Sequence, residues 1–179
     1  MYHLKSAPPL GPLLAVSERM ERAGLVIALG GSGLLAALGL ADTVGDWDLT
    51  TDARLDQVIA ALAGEPFTHK DSDDLHADQK LMLAGGSIEV IVGFAFHTPH
   101  GVVHIPTRPS GRWNGIALGS PEAWAVAYHL LGRREKSEAL WRALASRGAD
   151  PEAVALLLKE PLPSELTARL RELRTSGDT

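Results

Sequence analysis

The chain has 179 residues, 45% of them hydrophobic and 22% charged, which suits one folded unit with a sizeable core and is unlike a disordered chain. Cysteine is absent, which excludes disulfides, thiolate zinc sites and a cysteine nucleophile. The net charge of -5 argues against a broad nucleic-acid surface, so we do not expect a nucleic-acid partner. The first residues show no signal-like segment, and no stretch approaches the ~18 uninterrupted apolar residues of a membrane helix. We therefore expect a cytoplasmic protein with no membrane partner.

The N-terminal third is predicted to alternate between helix and strand. Leucines and Val16 fall on one side of the first segment, and an apolar run typical of a buried strand ends at Gly30. The predicted elements are a helix over 12–23, a strand over 25–29, a helix over about 33–39 with Ser32 as its N-cap, a strand over 46–50, and a helix to about residue 62 capped by Thr51 or Asp52.

The middle of the chain is predicted to be antiparallel or mixed sheet. Glycine and proline in residues 84–87 and 98–101 favour hairpin turns, because these residues supply the required backbone angles. The predicted strands cover residues 65–69, 79–84, 87–96 and 102–105.

From Ser120 onwards the pattern is helical. Ser120-Pro121-Glu122 and Asp150-Pro151-Glu152 each offer an N-cap, a first-turn proline and an acidic residue near the helix dipole. We predict helices near 121–131, 134–146, 151–158 and 164–174, with fraying over 176–179. The expected organisation is α+β, with an α/β core over 1–119 and a helical part over 120–179.

Three carboxylates are candidates for one metal site. Side chains alternate along a strand, so Asp46 and Asp48 share a face and repel each other unless a cation compensates them. Glu89 lies in an otherwise apolar strand, where a lone carboxylate is costly. If the two strands are neighbours, all three carboxylates converge, and oxygen ligands favour Mg²⁺ or Mn²⁺. Alternatively, the aspartates form a polar strand end and Glu89 lies on an exposed edge strand.

The strand, Gly30-Gly31-Ser32, helix transition is a candidate phosphate site. Glycines permit close approach of the backbone, and the helix-start amides with the Ser32 hydroxyl suit phosphate oxygens. A tight turn with a helix cap is the alternative interpretation. Carboxylate-held metal beside a phosphate-binding turn points to phosphoryl or nucleotidyl transfer.

These motifs resemble the nucleotidyltransferase superfamily of DNA polymerase β type. Its Gly-Gly-Ser turn, Asp-x-Asp pair and later carboxylate are matched by Gly30-Gly31-Ser32, Asp46-Trp47-Asp48 and Glu89. The segment 120–136 is similar to the helical part of small stand-alone members, which include antibiotic-modifying and toxin-antitoxin proteins. Glutamate at the third position departs from the commoner aspartate.

The resemblance implies a nucleotidyl transfer with two metal ions. Asp46 and Asp48 would hold both ions, Glu89 would bind one and accept the acceptor's proton, and the Gly31 amide with Ser32 would hold a nucleoside triphosphate such as ATP. Lys136, together with Arg133, is a candidate for phosphate neutralisation, and the alternative is that both belong to a solvated helix face. The expected partners are the nucleotide and an unknown hydroxyl acceptor. If the chain is a member of toxin-antitoxin type, a partner protein is expected as well.

Other functions stay open at this point. Gly31-Ser32-Gly33-Leu34-Leu35-Ala36 also fits a G-x-G-x-x-A dinucleotide-binding turn, although that turn needs a succession of parallel βαβ units. A degenerate member that binds nucleotide or protein without turnover is the second alternative. A zinc site at His97, His100 and His104 is less favoured than a surface hairpin carrying ordinary histidines.

Overall fold

The computed structural model describes residues 4–176, which form a seven-stranded mixed sheet, a separate hairpin and flanking helices. The helices are α1 (Leu10–Arg22), α2 (Gly31–Ala37), α3 (Leu55–Ala61), α4 (Pro121–Leu130), α5 (Arg134–Arg147), α6 (Pro151–Leu157) and α7 (Ser164–Ser176). The strands are β1 (Ala28–Leu29), β2 (Trp47–Thr51), β3 (Phe67–Lys70), β4 (Gln79–Leu83), β5 (Ile88–Val92), β6 (Ala95–Thr98), β7 (Gly101–His104), β8 (Gly111–Trp113) and β9 (Ile116–Leu118). The end predicted to fray reaches residues 177–179, which lie outside the described part.

The large sheet has the strand order β3-β4-β5-β2-β1-β9-β8. β2 runs parallel to β5, and β1 runs parallel to β9, while the other neighbouring pairs are antiparallel. The α+β prediction with a mixed sheet is confirmed. β5 is thereby the neighbour of β2, and this pairing positions the candidate site.

Two helices of the C-terminal part begin with the predicted N-cap residue and first-turn proline. Ser120 Oγ accepts a hydrogen bond from the Ala123 amide, and Asp150 accepts one from the Glu152 amide, with a proline in the first turn of each helix. Both predicted N-caps are therefore confirmed. Side-chain caps of this kind satisfy amides that have no partner inside the helix.

The predicted cap of α3 is wrong. α3 begins after Arg54, whose amide donates to the Gln57 side chain, and neither Thr51 nor Asp52 caps it. Thr51 ends β2 instead, where its hydroxyl donates to the Val26 carbonyl at 2.8 Å and accepts from the Ala53 amide. Tertiary contacts of the hydroxyl prevail over its local capping preference.

The predicted long strand over 87–96 is also wrong, because it is two strands. Gly93 lies between them with φ of +66°, a conformation that interrupts a strand and that glycine adopts easily. β5 belongs to the large sheet, whereas β6 pairs with β7 in the separate hairpin. The predicted hairpin turn over 98–101 is confirmed, since Thr98 pairs with Gly101.

Two strands were not predicted at all. β8 and β9 form a hairpin across Asn114 and Gly115, whose φ angles are +49° and +82°. An Asn-Gly pair is a strong hairpin signal. The strands that it joins here have only three residues each, which is too short for a clear alternating pattern in the sequence. β9 then brings the chain to β1, so that α4 begins close to the turn that follows β1.

Candidate active site

The turn after β1 is packed too tightly for any side chain. A Cβ on Gly30 would overlap the Trp124 indole, and one on Gly31 would overlap Oδ2 of Asp48. Gly31 also has φ of +55°, and the Gly30 amide donates to the Asp48 carbonyl at 2.8 Å. The two glycines therefore hold the start of α2 directly against β2.

Ser32 is not the N-cap of α2. Gly30 occupies that position, no side chain caps the helix, and Ser32 lies in its first turn. The Ser32 side chain instead lines a cavity of about 660 Å³. The predicted cap is wrong because the helix begins two residues earlier, at the point where glycine permits the sharp turn.

The three predicted carboxylates lie together on one wall of this cavity. Asp48 is directly opposite Glu89 in the parallel β2–β5 pairing, and Asp46 precedes β2 by one residue. One oxygen from each of the three carboxylates lies within 4.8 Å of the others. Among the described residues, this is the one group of histidine and carboxylate side chains close enough to hold a metal ion.

Burial and mutual repulsion destabilise the charged form of this cluster. Burial, followed by repulsion from Asp46, raises the pKa of Asp48 well above its usual value. Burial and repulsion from Glu89 also raise the pKa of Asp46. The cluster therefore carries more negative charge than its surroundings compensate, which is the condition that a bound cation relieves.

Cationic side chains line the same cavity. Lys80 of β4 places its Nζ 3.3 Å from Oε1 of Glu89, and both side chains are largely buried. Arg133 and Lys136 reach the cavity from the loop and helix after α4, and the Lys136 ammonium lies 5.4 Å from the centre of the Tyr128 ring. The predicted Lys136 thus lies in the cavity, whereas Lys80 was missed.

Aromatic rings form another wall. The ring centres of Phe94 and Trp124 are 5.0 Å apart, and those of Trp124 and Tyr128 are 5.5 Å apart. Burial, followed by the negative charge of Asp48, raises the pKa of Tyr128, so its hydroxyl stays protonated. These rings offer flat apolar surface beside the charged groups.

One histidine lines the cavity and was not singled out from the sequence. His76 Nδ1 lies 3.2 Å from both oxygens of Asp73, and its ring is tilted against Phe96 at 5.6 Å between centres. Local hydrogen bonds of Asp73 fix the loop, since its Oδ1 also accepts from the Leu75 and His76 amides. The sequence feature that could have identified His76 is the Asp-x-x-His spacing of Asp73 and His76 in a predicted loop.

The histidines considered for zinc lie elsewhere. His97, His100 and His104 are exposed on the β6–β7 hairpin, and none of them belongs to a metal-sized cluster within the described chain. The surface-hairpin interpretation is therefore the one that the structure supports.

No protein-family model matches the sequence, and no curated protein matches it significantly. Solved structures with a similar fold include the following two. One is a candidate nucleotidyltransferase, TM1012 of Thermotoga maritima, with a TM-score of 0.53 and 20% identity over 76% of this chain and 92% of that one. The other is the antibiotic-resistance factor ANT(2'')-Ia, with a TM-score of 0.54 and 17% identity over 93% of this chain and 92% of that one.

The chain has the nucleotidyltransferase fold. In this nucleotidyltransferase fold, β1 and β2 are antiparallel, which does not provide the parallel βαβ unit of the dinucleotide-binding alternative. Within residues 4–176, none of the helices combines the length and apolarity needed to cross a membrane.

Proposed function

We propose that this protein is a metal-dependent nucleotidyltransferase, which moves a nucleoside monophosphate from a nucleoside triphosphate to a hydroxyl of a small molecule or protein. The convergence of Asp46, Asp48 and Glu89 within 4.8 Å, on the wall of a cavity that cations also line, carries this proposal. The fold shared with nucleotidyltransferases supports it.

The three carboxylates fit a divalent cation. They are hard oxygen donors, as Mg²⁺ and Mn²⁺ prefer, and their mutual repulsion leaves negative charge for such an ion to neutralise. Asp46 and Asp48 would hold the metal together with Glu89. A divalent ion bound there would withdraw charge from the phosphate being transferred.

The other cavity residues are suited to the triphosphate. Gly31 packs against Asp48. Ser32 lines the cavity together with Asp48, and Arg133 and Lys136 supply positive charge to the same cavity. Cations in a partly enclosed cavity stabilise phosphate oxygens more strongly than they would in open water.

In the proposed transfer, the acceptor hydroxyl replaces pyrophosphate on the α-phosphorus of the nucleotide. The acceptor oxygen forms a bond to the α-phosphorus, the bond from that phosphorus to the bridging oxygen breaks, and pyrophosphate leaves with the electron pair. Glu89, a carboxylate of the same cluster, would take the hydroxyl proton.

Binding and transfer measurements test this function. Calorimetry in Mg²⁺ with ATP, GTP and CTP should detect binding to the wild type and a large loss in Asp48→Asn. Incubation with α-labelled nucleotide and a panel of hydroxyl acceptors, including protein, should release pyrophosphate only from the wild type. Tight binding of NAD without metal would contradict the proposal.

A second candidate is a nucleotidyltransferase fold that binds without turnover. The Lys80–Glu89 ion pair favours it, because an internal cation already compensates part of the cluster. Such a protein would act through a partner, for example of toxin-antitoxin type. Asp48→Ala should then leave the biological effect intact, and a neighbouring toxin-like gene would support this candidate.

A further inference from the structure

The ion pair between Lys80 and Glu89 is unlike the surface ion pairs of this protein. Its side chains are 13% and 15% exposed, and the ammonium nitrogen lies 3.3 Å from the carboxylate. Salt and water screen so enclosed a pair only weakly. Removal of Lys80 therefore leaves the buried Glu89 carboxylate without its direct partner.

Strand register fixes this contact. In the antiparallel β4–β5 pairing, Lys80 is directly opposite Ile91 and Met82 is directly opposite Glu89. Lys80 and Glu89 are therefore diagonal neighbours on one face, a distance that a long side chain spans easily. The lysine stem can also reach a group inside the cavity, because Lys80 lines it.

Lys80 and a divalent ion would compete for the same negative charge. Asp46, Asp48 and Glu89 supply three carboxylates, and within residues 4–176 Lys80 is the cation that forms an ion pair with one of them. A metal ion held by Glu89 would repel an ammonium group left beside it. The ammonium group would then need another anion within its reach.

We propose that Lys80 is an exchangeable counter-ion, which holds Glu89 in the ligand-free protein and moves to a phosphate of the nucleotide when a divalent ion takes its place. This inference rests on the proposed function. This exchange makes metal binding and nucleotide binding mutually favourable. A phosphate that binds Lys80 removes the charge that competes with the metal, and a metal bound to Glu89 releases Lys80 for the phosphate. The exchange also frees Glu89 from the ammonium before the proton has to be accepted.

Metal titrations of Lys80→Met test the exchange. Mn²⁺ binding without nucleotide, followed by electron paramagnetic resonance, should be about tenfold tighter than in the wild type, because the competing charge is gone. Binding of a non-hydrolysable ATP analogue with Mn²⁺ should weaken, since a phosphate partner is lost. Lys80→Arg, which keeps the charge, should stay close to the wild type in Mn²⁺ affinity.

Lys70→Met is the matched control. Lys70 is directly opposite Lys80 in the β3–β4 pairing, but its side chain is 57% exposed and lies near Asp73 instead. This variant should bind Mn²⁺ as the wild type does. Equal Mn²⁺ affinity in Lys80→Met and Lys70→Met, with metal binding intact in both, overturns the counter-ion role and leaves the proposed function standing.

A measurement on the wild type covers the case in which Lys80→Met does not fold. Reductive methylation, mapped by mass spectrometry, should modify Lys80 faster when Mn²⁺ is added and more slowly when the ATP analogue is added with Mn²⁺. An unchanged rate in both conditions overturns the exchange. Absence of Mn²⁺ binding in the wild type and all variants, even with nucleotide, overturns the proposed function together with it.

Discussion

Gly31 and Asp48 are packed so closely that a single methyl group on Gly31 would overlap Oδ2 of the aspartate. Gly31 also has a left-handed backbone, with φ of +55°. The turn after β1 and the carboxylate on β2 therefore form one structural unit, in which the glycine determines where Asp48 lies.

Gly31→Ala should disturb the site more than the fold. Backbone strain costs about 1–3 kcal/mol, and the methyl group must also displace the Asp48 carboxylate. We expect a lower melting temperature and a loss of Mn²⁺ affinity of at least about tenfold, measured by calorimetry. Gly24→Ala is the control, since Gly24 has φ of +77° but nothing within 4 Å of its Cβ position. Equal metal affinity in the two alanine variants would contradict this reasoning.

Asp48→Asn should abolish transfer without destabilising the metal-free protein. Burial, and then repulsion from Asp46, raises the pKa of Asp48, so its charge opposes folding at neutral pH. Removing about 1 kcal/mol of this cost raises the melting temperature by about 2–4 °C. Calorimetric scans in EDTA measure this change, and added Mg²⁺ should stabilise the wild type only.

Asp56→Asn is the control for Asp48→Asn, because the pKa of Asp56 is shifted in the opposite direction. Asp56 pairs with Arg54 on the surface, and this contact lowers the pKa of Asp56. The variant should therefore keep metal binding and gain no stability. A cooperative loss of folding in Asp48→Asn would instead identify the aspartate pair as structural.

Much of this site follows from local periodicity. Asp46 and Asp48 were predicted to share a face because side chains alternate along a strand, and Glu89 was recognised because it interrupts an apolar strand. Lys80 could not be recognised in this way, since its contact with Glu89 depends on the register of two strands. Trp124 could not either, because it meets Gly30 only after β9 has paired with β1.

The same limit applies to the fold. Helices with strong caps, such as α4 and α6, were predicted within a residue or two because the signals are local. The break at Gly93 was missed, since an apolar run that changes sheets resembles one continuous strand. Ser32 was assigned as a cap because capping serines are common, while the packing of Gly31 against Asp48 decides where α2 begins.

A buried carboxylate outside the Asp46, Asp48 and Glu89 cluster should prove important for stability. Glu122 accepts hydrogen bonds from the Ser120 hydroxyl at 2.6 Å and the Asp150 amide at 2.7 Å, so it joins the starts of α4 and α6. Glu122→Ala leaves these donors without a partner and should cost about 2–4 kcal/mol, measured by urea unfolding. Glu135→Ala, at an exposed position in the first turn of α5, should change stability by less than about 0.5 kcal/mol. A small effect of Glu122→Ala would show that water replaces the carboxylate.

The Asp73 loop should give stability a specific pH dependence. Amide donors of His76 and Leu75 stabilise the Asp73 carboxylate and lower its pKa well below the usual value. Because the pKa is lower in the folded state, the contribution is complete above the unfolded pKa of about 3.9 and is lost as the pH falls through the folded pKa.

Asp73→Ala should therefore melt below the wild type at pH 7 and at pH 5, and the difference should shrink as the pH is lowered from about 4 to about 3. Calorimetric scans at each pH measure this difference. Asp74→Ala, one residue away on an exposed position, should show little difference at any of these pH values. If the difference for Asp73→Ala stays constant down to pH ~3, the amide contacts do not act through the charge of the carboxylate, and the loop that holds His76 in the cavity is stabilised by packing against Phe96 instead.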